Sequence, residues 1–277
     1  PASNRIELRS GQTYTGEMSV QNTTDADMTI KTSVGSYSII DNNYNSPNYD
    51  SPSKWSVIKD WIKIDKTDFV LAPGESQIIK YTVTTPADPP AGMQYATIFA
   101  ENVPPKTDSG ITATSRIGMV LSARMLDGET IEKASIQNDK IAGYQPTSPL
   151  KASFSVKNEG NIGADVTYSL KVKNAFNGSE VYSSESQTSS VYPETTRNMS
   201  LKWDQVGIGF YNVEMIINLN GREHTVKKLV CTVPVWIIIL LAIAILSLIA
   251  YAVINHRMRQ ETRGGSKTTK KATTKKK

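Results

Sequence analysis

Twenty-one consecutive positions near the C-terminus, Pro234 to Ile254, hold no charged residue. Written as a helix they span about 32 Å at ~1.5 Å per residue, close to the thickness of a bilayer's hydrocarbon core. Thirteen of them are Val, Ile or Leu, and each such side chain favours insertion by about 0.3–0.6 kcal/mol at the helix centre. The core helix of a soluble protein keeps a polar stripe, which this run lacks. Trp236 and Tyr251 stand near opposite ends, where amphipathic rings settle at headgroup level. The run 234–254 therefore reads as a single transmembrane helix.

Its flanks give it a direction. Nine Lys and Arg follow Ile254, with Arg257 and Arg259 at the expected membrane interface, and only Glu261 opposes them. The positive-inside bias puts the C-terminus in the cytoplasm and residues 1–233 outside, at the cell membrane. The formal charge of +5 divides into 9 − 1 = +8 after Ile254 and 22 − 25 = −3 before it. The excess of positive charge thus belongs to the tail and not to a nucleic-acid-binding body. Residues 255–277 are expected to form a basic, disordered cytoplasmic tail, with the low-complexity stretch from Gly264 to Lys277 the clearest case. Its partners are expected to be anionic lipid headgroups, each Lys contributing up to ~1 kcal/mol. Nucleic acid is the disfavoured alternative, because the anchor already delivers the tail to an anionic surface. An N-out chain needs an export signal, and the sequence opens on Pro1 without one, so Pro1 is expected to be a processed or trimmed start.

The single Cys231 excludes an intrachain disulfide. Before the anchor the chain reads as β. Apolar and polar residues alternate over Tyr14–Val20, Met28–Val34, Ile78–Val83 and Phe154–Val156, bounded by Gly, Pro, Asn and Asp. Trp55, Ile58 and Ile62 give the one helical hint, of one or two turns. The expected fold is all-β, two tandem Ig-like antiparallel β-sandwiches followed by the transmembrane helix.

An internal duplication supports two domains. Val20-Gln21-Asn22 matches Val156-Lys157-Asn158, Leu71-Ala72-Pro73-Gly74-Glu75 matches Val191-Tyr192-Pro193-Glu194-Thr195, and Gly92-Met93-Gln94-Tyr95 matches Gly207-Ile208-Gly209-Phe210. The boundary falls near Asp127-Gly128-Glu129, giving domains over 1–127 and 128–233. From the Asn of the first block to the start of the second is 71 − 22 = 49 residues in domain one and 191 − 158 = 33 in domain two. The excess of 49 − 33 = 16 residues is placed in Gly35–Trp61, where Tyr37, Tyr44, Asn45, Tyr49 and Trp55 alternate with Asn, Asp and Pro. Such a loop offers flat faces for stacking beside amides for hydrogen bonding, which suits a protein or sugar ligand. The competing reading is a loop folded over a sandwich edge with its aromatics packed inward, Tyr37 and Trp61 above all.

Several motifs of domain one resemble a known family. Arg5-Ile6-Glu7-Leu8, Gly11-Gln12-Thr13-Tyr14-Thr15-Gly16, Val20-Gln21-Asn22, Asp60-Trp61-Ile62, Leu71-Ala72-Pro73-Gly74-Glu75 and Gly92-Met93-Gln94-Tyr95-Ala96 look like the N-terminal domain of the WxL-interacting surface proteins of Gram-positive-type bacteria. That domain is named for peptidoglycan binding. The family continues with a second Ig-like domain, one transmembrane helix and a basic tail, the order seen here. Its usual Gly-Gly-Gln-Tyr reads Gly92-Met93-Gln94-Tyr95 in this chain, and domain two matches too loosely to carry over host binding.

No catalytic constellation competes. His224 and His256 are the only histidines and fall on opposite sides of the anchor, which leaves no His-based metal site and argues against a Ser-His-Asp triad. No phosphate-binding Gly loop is present. The expectation is a non-enzymatic, membrane-anchored surface or adhesion protein without a cofactor or metal. Its partner would be cell-wall glycan or a wall-associated surface protein, held by the loop residues Tyr37, Tyr44, Asn45, Tyr49 and Trp55. A structural stalk or subunit of a larger envelope complex is the alternative.

Overall fold

The computed structural model describes residues 2–104 and 114–268, with side chains over 3–104 and 114–259. Domain one begins with β1 (Ala2–Leu8), β2 (Thr13–Gln21) and β3 (Met28–Ser36). Two short strands follow, β4 (Ser38–Ile39) and β5 (Pro47–Asn48), then a 3-10 helix over Val57–Trp61, where a helical hint of one or two turns was read. The domain closes with β6 (Ile62–Ile64), β7 (Asp68–Leu71), β8 (Ser76–Thr84), β9 (Gly92–Asn102) and β10 (Arg116–Met125). A sheet in the order β1-β10-β9-β3-β7 faces a sheet β2-β8-β6. Between them lies one core that includes Leu8, Ile58, Leu71, Ile79, Tyr81 and Leu121. The alternation of β2 and β8 is of the expected kind, with every second side chain buried toward the core.

The second unit comprises β11 (Ala134–Ile141), β12 (Leu150–Asn158), β13 (Ala164–Asn174), β14 (Glu180–Ser183), β15 (Gln187–Val191), β16 (Thr196–Trp203), β17 (Phe210–Leu219) and β18 (Arg222–Cys231). A sheet β11-β12-β16 faces a sheet built on β14-β13-β17-β18, with β15 also on β13. Its separate core includes Leu150, Phe154, Leu170, Leu201, Met215 and Ile217. The duplication has a physical basis in two buried asparagines. Asn22 Nδ2 donates to the carbonyls of Ala26 and Leu71 at 2.8 and 2.9 Å. Asn158 Nδ2 donates to those of Ile162 and Val191 at 2.7 and 2.9 Å. Each amide satisfies backbone acceptors that the sheets leave open, and so ties one sheet of its domain to the other.

Two expectations are corrected. The sandwiches are not wholly antiparallel: β1 pairs parallel with β10, from Ala2 opposite Met119 to Leu8 opposite Met125. The chain leaves β1 for the opposite sheet at β2, so no hairpin turn ties β1 to a sequence neighbour and forces the antiparallel sense. The helix also outruns the predicted anchor. The helix α1 spans Val235–Thr268, so residues 255–268, including Gly264 and Gly265, are helical where a disordered tail was expected. Propagating an existing helix avoids the cost of nucleation, and the Arg, Met, Gln and Glu after Ile254 are good helix formers. Residues 269–277 lie outside the described residues. One stretch of the helix, Val235–Arg259, is long and apolar enough to cross a membrane. Trp236, Tyr251, Arg257 and Arg259 all lie on that stretch.

Candidate functional site

The near-continuous burial of β9 locates the site. Its inward residues Ala96, Ile98 and Ala100 join the core, and its outward residues Tyr95, Thr97 and Phe99 are buried as well. The outer face of this sheet is therefore covered, and the extra loop of domain one covers it. Tyr49 meets Phe99 edge-on at 5.1 Å, and Tyr37 lies 6.3 Å from Tyr95. Asp41 holds the loop's turn, its carboxylate accepting from the amides of Asn43 and Ser46 at 2.8 and 2.9 Å and of Asn45 at 3.4 Å. Desolvation raises that carboxyl's pKa, but these donors outweigh it and hold it below the ordinary value. The turn delivers Tyr44 at φ 58°, a left-handed backbone that a tyrosine adopts only when its surroundings fix it.

What fixes Tyr44 is domain two. Its ring stacks on Tyr192 at 5.5 Å with a 3° interplanar angle, and the Arg197 guanidinium lies over the same ring, 4.6 Å from its centroid. Its hydroxyl accepts from the Tyr192 N–H at 3.0 Å and bonds the Thr195 hydroxyl. Tyr192 is the hub of the junction, since Tyr95 and Tyr37 also meet it edge-on at 4.6 and 5.6 Å. Burial raises the phenol pKa values of Tyr37, Tyr44 and Tyr95, and neighbouring phenols add to it for Tyr37 and Tyr95. Polar contacts border the rings: Lys54 Nζ reaches Glu194 Oε1 at 2.7 Å, and the Asn198 N–H donates to the Asn42 carbonyl at 2.7 Å. At the other margin the Met93 N–H donates to the Asn161 carbonyl at 2.8 Å. Gly92 (φ 96°) permits that approach, because a Cβ there would lie 2.2 Å from the Asn161 oxygen.

The predicted ligand residues thus have different fates. Tyr37 and Tyr44 grip domain two, Tyr49 packs on domain one, and Asn45 alone is solvent-exposed. Trp55 is half-buried beside a small pocket of about 240 Å³ with Tyr95 and Tyr192. Trp61 packs against the core of domain one. The inward-packing reading of the loop prevails, with a tyrosine of the other domain as the surface it packs on.

Beside Tyr192 the two domains leave an open cleft of about 610 Å³, within the usual range of ligand sites. Arg5 on β1 and Arg124 on β10 line it from domain one, and Asp165 and Ser190 from domain two. Arg5 Nη2 donates to Ser190 Oγ at 3.1 Å, and that hydroxyl donates to Asp165 Oδ1 at 2.6 Å. Arg124 Nε is buried without a hydrogen-bond partner among the described residues. A buried donor left unpaired costs about 1–3 kcal/mol, which an incoming acceptor would relieve. Sequence reasoning singled out neither Arg124 nor Tyr192. The duplication held a signal for the latter, since Tyr192 and Glu194 stand where domain one has Ala72 and Gly74.

No family model and no curated protein matches this chain. Among solved structures it is similar to the class 5 fimbriae chaperone CfaA, over 82% of this chain and 96% of that one, at 14% identity and TM-score 0.43. It is also similar to the E. coli chaperone DraB, over 80% and 93%, at 15% identity and TM-score 0.39. A PapD-like domain of human CEP192 matches 46% of this chain and 82% of its own length, at 14% identity and TM-score 0.32. At that similarity the partners of those proteins do not transfer to this one.

Proposed function

We propose that this protein is a single-pass envelope protein of the WxL-interacting type. In this reading two tandem Ig-like domains lie outside the cell, and α1 carries the chain into the cytoplasm. It is a binding protein and not an enzyme, and it holds cell-wall glycan or a wall-attached surface protein in the cleft between its domains. The observation that carries this is Arg124, with a buried, unpaired Nε in a cleft of about 610 Å³. A guanidinium so placed suits a carboxylate, which wall peptides and proteins both carry. The motif resemblance of domain one supports the wall as the partner, and the charge step across the helix supports the orientation. The free aromatic loop first expected to bind is instead committed to the junction.

The test is sedimentation of the full chain in detergent with insoluble cell wall. Arg124→Ala should weaken binding by about 1–3 kcal/mol without lowering the melting temperature, because it removes an unpaired buried donor, and Arg124→Lys should recover only part of the binding. Equal binding by all three proteins would remove the cleft from the function. Protease added to intact cells should digest residues 1–233 and spare the tail; digestion of the tail from outside would reverse the orientation. The stalk reading is favoured by one observation, the aromatic junction that couples the two domains. It would be preferred if the protein co-purifies in a stoichiometric envelope complex whose formation ignores Arg124.

A further inference from the structure

The membrane-proximal end of domain two is tied closely to the helix. β18 closes at Cys231 and α1 opens at Val235. Between them Thr232 is buried, its N–H donating to the Gly209 carbonyl at 2.9 Å and its hydroxyl to that of Gly207 at 2.7 Å. Cys231 exchanges backbone bonds with Gly143 and Gln145 at 2.8 and 2.9 Å, and Tyr144 Oη donates to the Val233 carbonyl at 3.2 Å. No loose tether separates the domain from the helix. A bilayer around α1 therefore meets this end of the sandwich.

That end is where domain two shows its apolar side chains. Phe176 is 82% exposed, Ile208 62%, Leu229 54%, Tyr144 44% and Phe210 37%. The other large exposed apolar residues described in this domain are Ile131, beside the junction with domain one, and Val181, just beyond the Phe176 turn. Phe176 is held out by a structured turn. Asn174 Oδ1 accepts from its N–H at 2.9 Å, the Ala175 N–H donates to the Phe210 carbonyl at 2.9 Å, and the two Phe rings meet edge-on at 5.8 Å. Phe210 is paired with Cys231, so the cluster continues directly into the chain that enters the helix. Beside it, Lys171, Lys173, Lys227 and Lys228 border one groove with Leu229. Lys227 pairs with Glu214 at 2.9 Å, and among the described residues Lys171, Lys173 and Lys228 have no ion pair.

We propose that this end is a lipid-docking surface. Phe176, Ile208, Phe210, Leu229 and Tyr144 rest at the headgroup–acyl boundary of the outer leaflet, and the unpaired lysines engage the phosphates of anionic headgroups. The arrangement, aromatic and aliphatic side chains with Lys along one flank, suits an interfacial membrane contact. The proposal rests on the reading that α1 spans the membrane. Its consequence is that the ectodomain stands at a fixed tilt, with the inter-domain cleft at a fixed height above the lipid.

The test uses the full chain in nanodiscs of anionic lipid, in a Cys231→Ser background, with one fluorophore at Asn177→Cys, Ile78→Cys or Leu246→Cys. Spin labels carried on headgroups or acyl chains serve as quenchers. The label at 246 should be quenched from the acyl chains, which checks the anchor by itself. The label at 177 should be quenched from the headgroups at least about twofold more than the label at 78. Adding Phe176→Asp and Ile208→Asp, both on exposed side chains, should bring 177 down to the level of 78. Zwitterionic lipid should lower its quenching in between. If 246 is quenched while 177 behaves like 78, the docking surface is overturned and the anchor stands. Shielding of 177 from aqueous iodide without lipid quenching would point to a protein contact and also overturn it. If 246 is not quenched, the anchor reading itself fails and the proposal falls with it.

Discussion

Replacing Tyr192 by Ala removes the hub of the domain junction. Three ring pairs are lost, with Tyr95 at 4.6 Å, Tyr44 at 5.5 Å and Tyr37 at 5.6 Å. At about 0.5–1.5 kcal/mol per aromatic pair, these amount to ~1.5–4.5 kcal/mol. Truncating a fully buried aromatic costs about 3–5 kcal/mol, but Tyr192 is only half-buried. The expected loss is therefore about 2–3 kcal/mol. It should fall on the coupling between domains, because Tyr192 belongs to neither hydrophobic core. The bond to Tyr44 Oη survives, since the backbone N–H of residue 192 donates it. Calorimetry of the full chain in detergent should show one coupled transition for the parent and two for Tyr192→Ala. The distance distribution between spin labels on the two domains should broaden in parallel. Tyr192→Phe keeps every ring pair and loses only a hydroxyl 3.4 Å from that of Tyr37, so its cost should stay below about 1 kcal/mol. An alanine variant that melts as one unit with a sharp inter-domain distance would refute the reasoning.

The paired asparagines give a second test: Asn22→Ala and Asn158→Ala each strand one buried carbonyl, that of Leu71 or Val191, and remove a second, part-buried bond. Each should destabilise its own domain by about 2–4 kcal/mol, and a near-neutral result for either would show that the duplicated motif has no shared structural role. Alkaline pH gives another. The buried Tyr95 phenol has its pKa raised by desolvation and then by Tyr192, whereas an unfolded tyrosine ionises near ~10. The folded value lies above the unfolded one, so its contribution is complete below pH ~10 and is lost as pH rises above it, at about 1.4 kcal/mol per pH unit. Denaturant titrations of the parent and Tyr95→Phe should diverge in that window; parallel curves would count against a buried phenol.

How much of this was legible in the chain depends on the range of the interactions. The alternation in β2 and β8 was legible because a strand half-facing a core must repeat every two residues, whatever its partner. Asn22 and Asn158 stood out as a repeat because each satisfies neighbours in its own domain. The extra loop was located by subtraction, and its aromatics stood out by their spacing with Asn, Asp and Pro. Their destination was not legible. Tyr44 is 148 residues from Tyr192, and an aromatic face reads the same in a sequence whether it meets a ligand or another domain. Arg124 was silent for a related reason: an arginine in a strand becomes unusual only when folding buries its Nε away from acceptors.

The apolar helix, the charge step across it, the β character of the rest and the doubled motif can therefore all be read along the chain. All of these rest on composition and short periodicity, which act along the chain. The parallel pairing of β1, the packing of the tyrosine loop, the cleft around Arg124 and the apolar end beside the helix emerge only on folding. Those depend on which surfaces come together once the backbone hydrogen bonds of each sandwich are closed. The spacing of residues along a strand carries no record of the surface that will later face it.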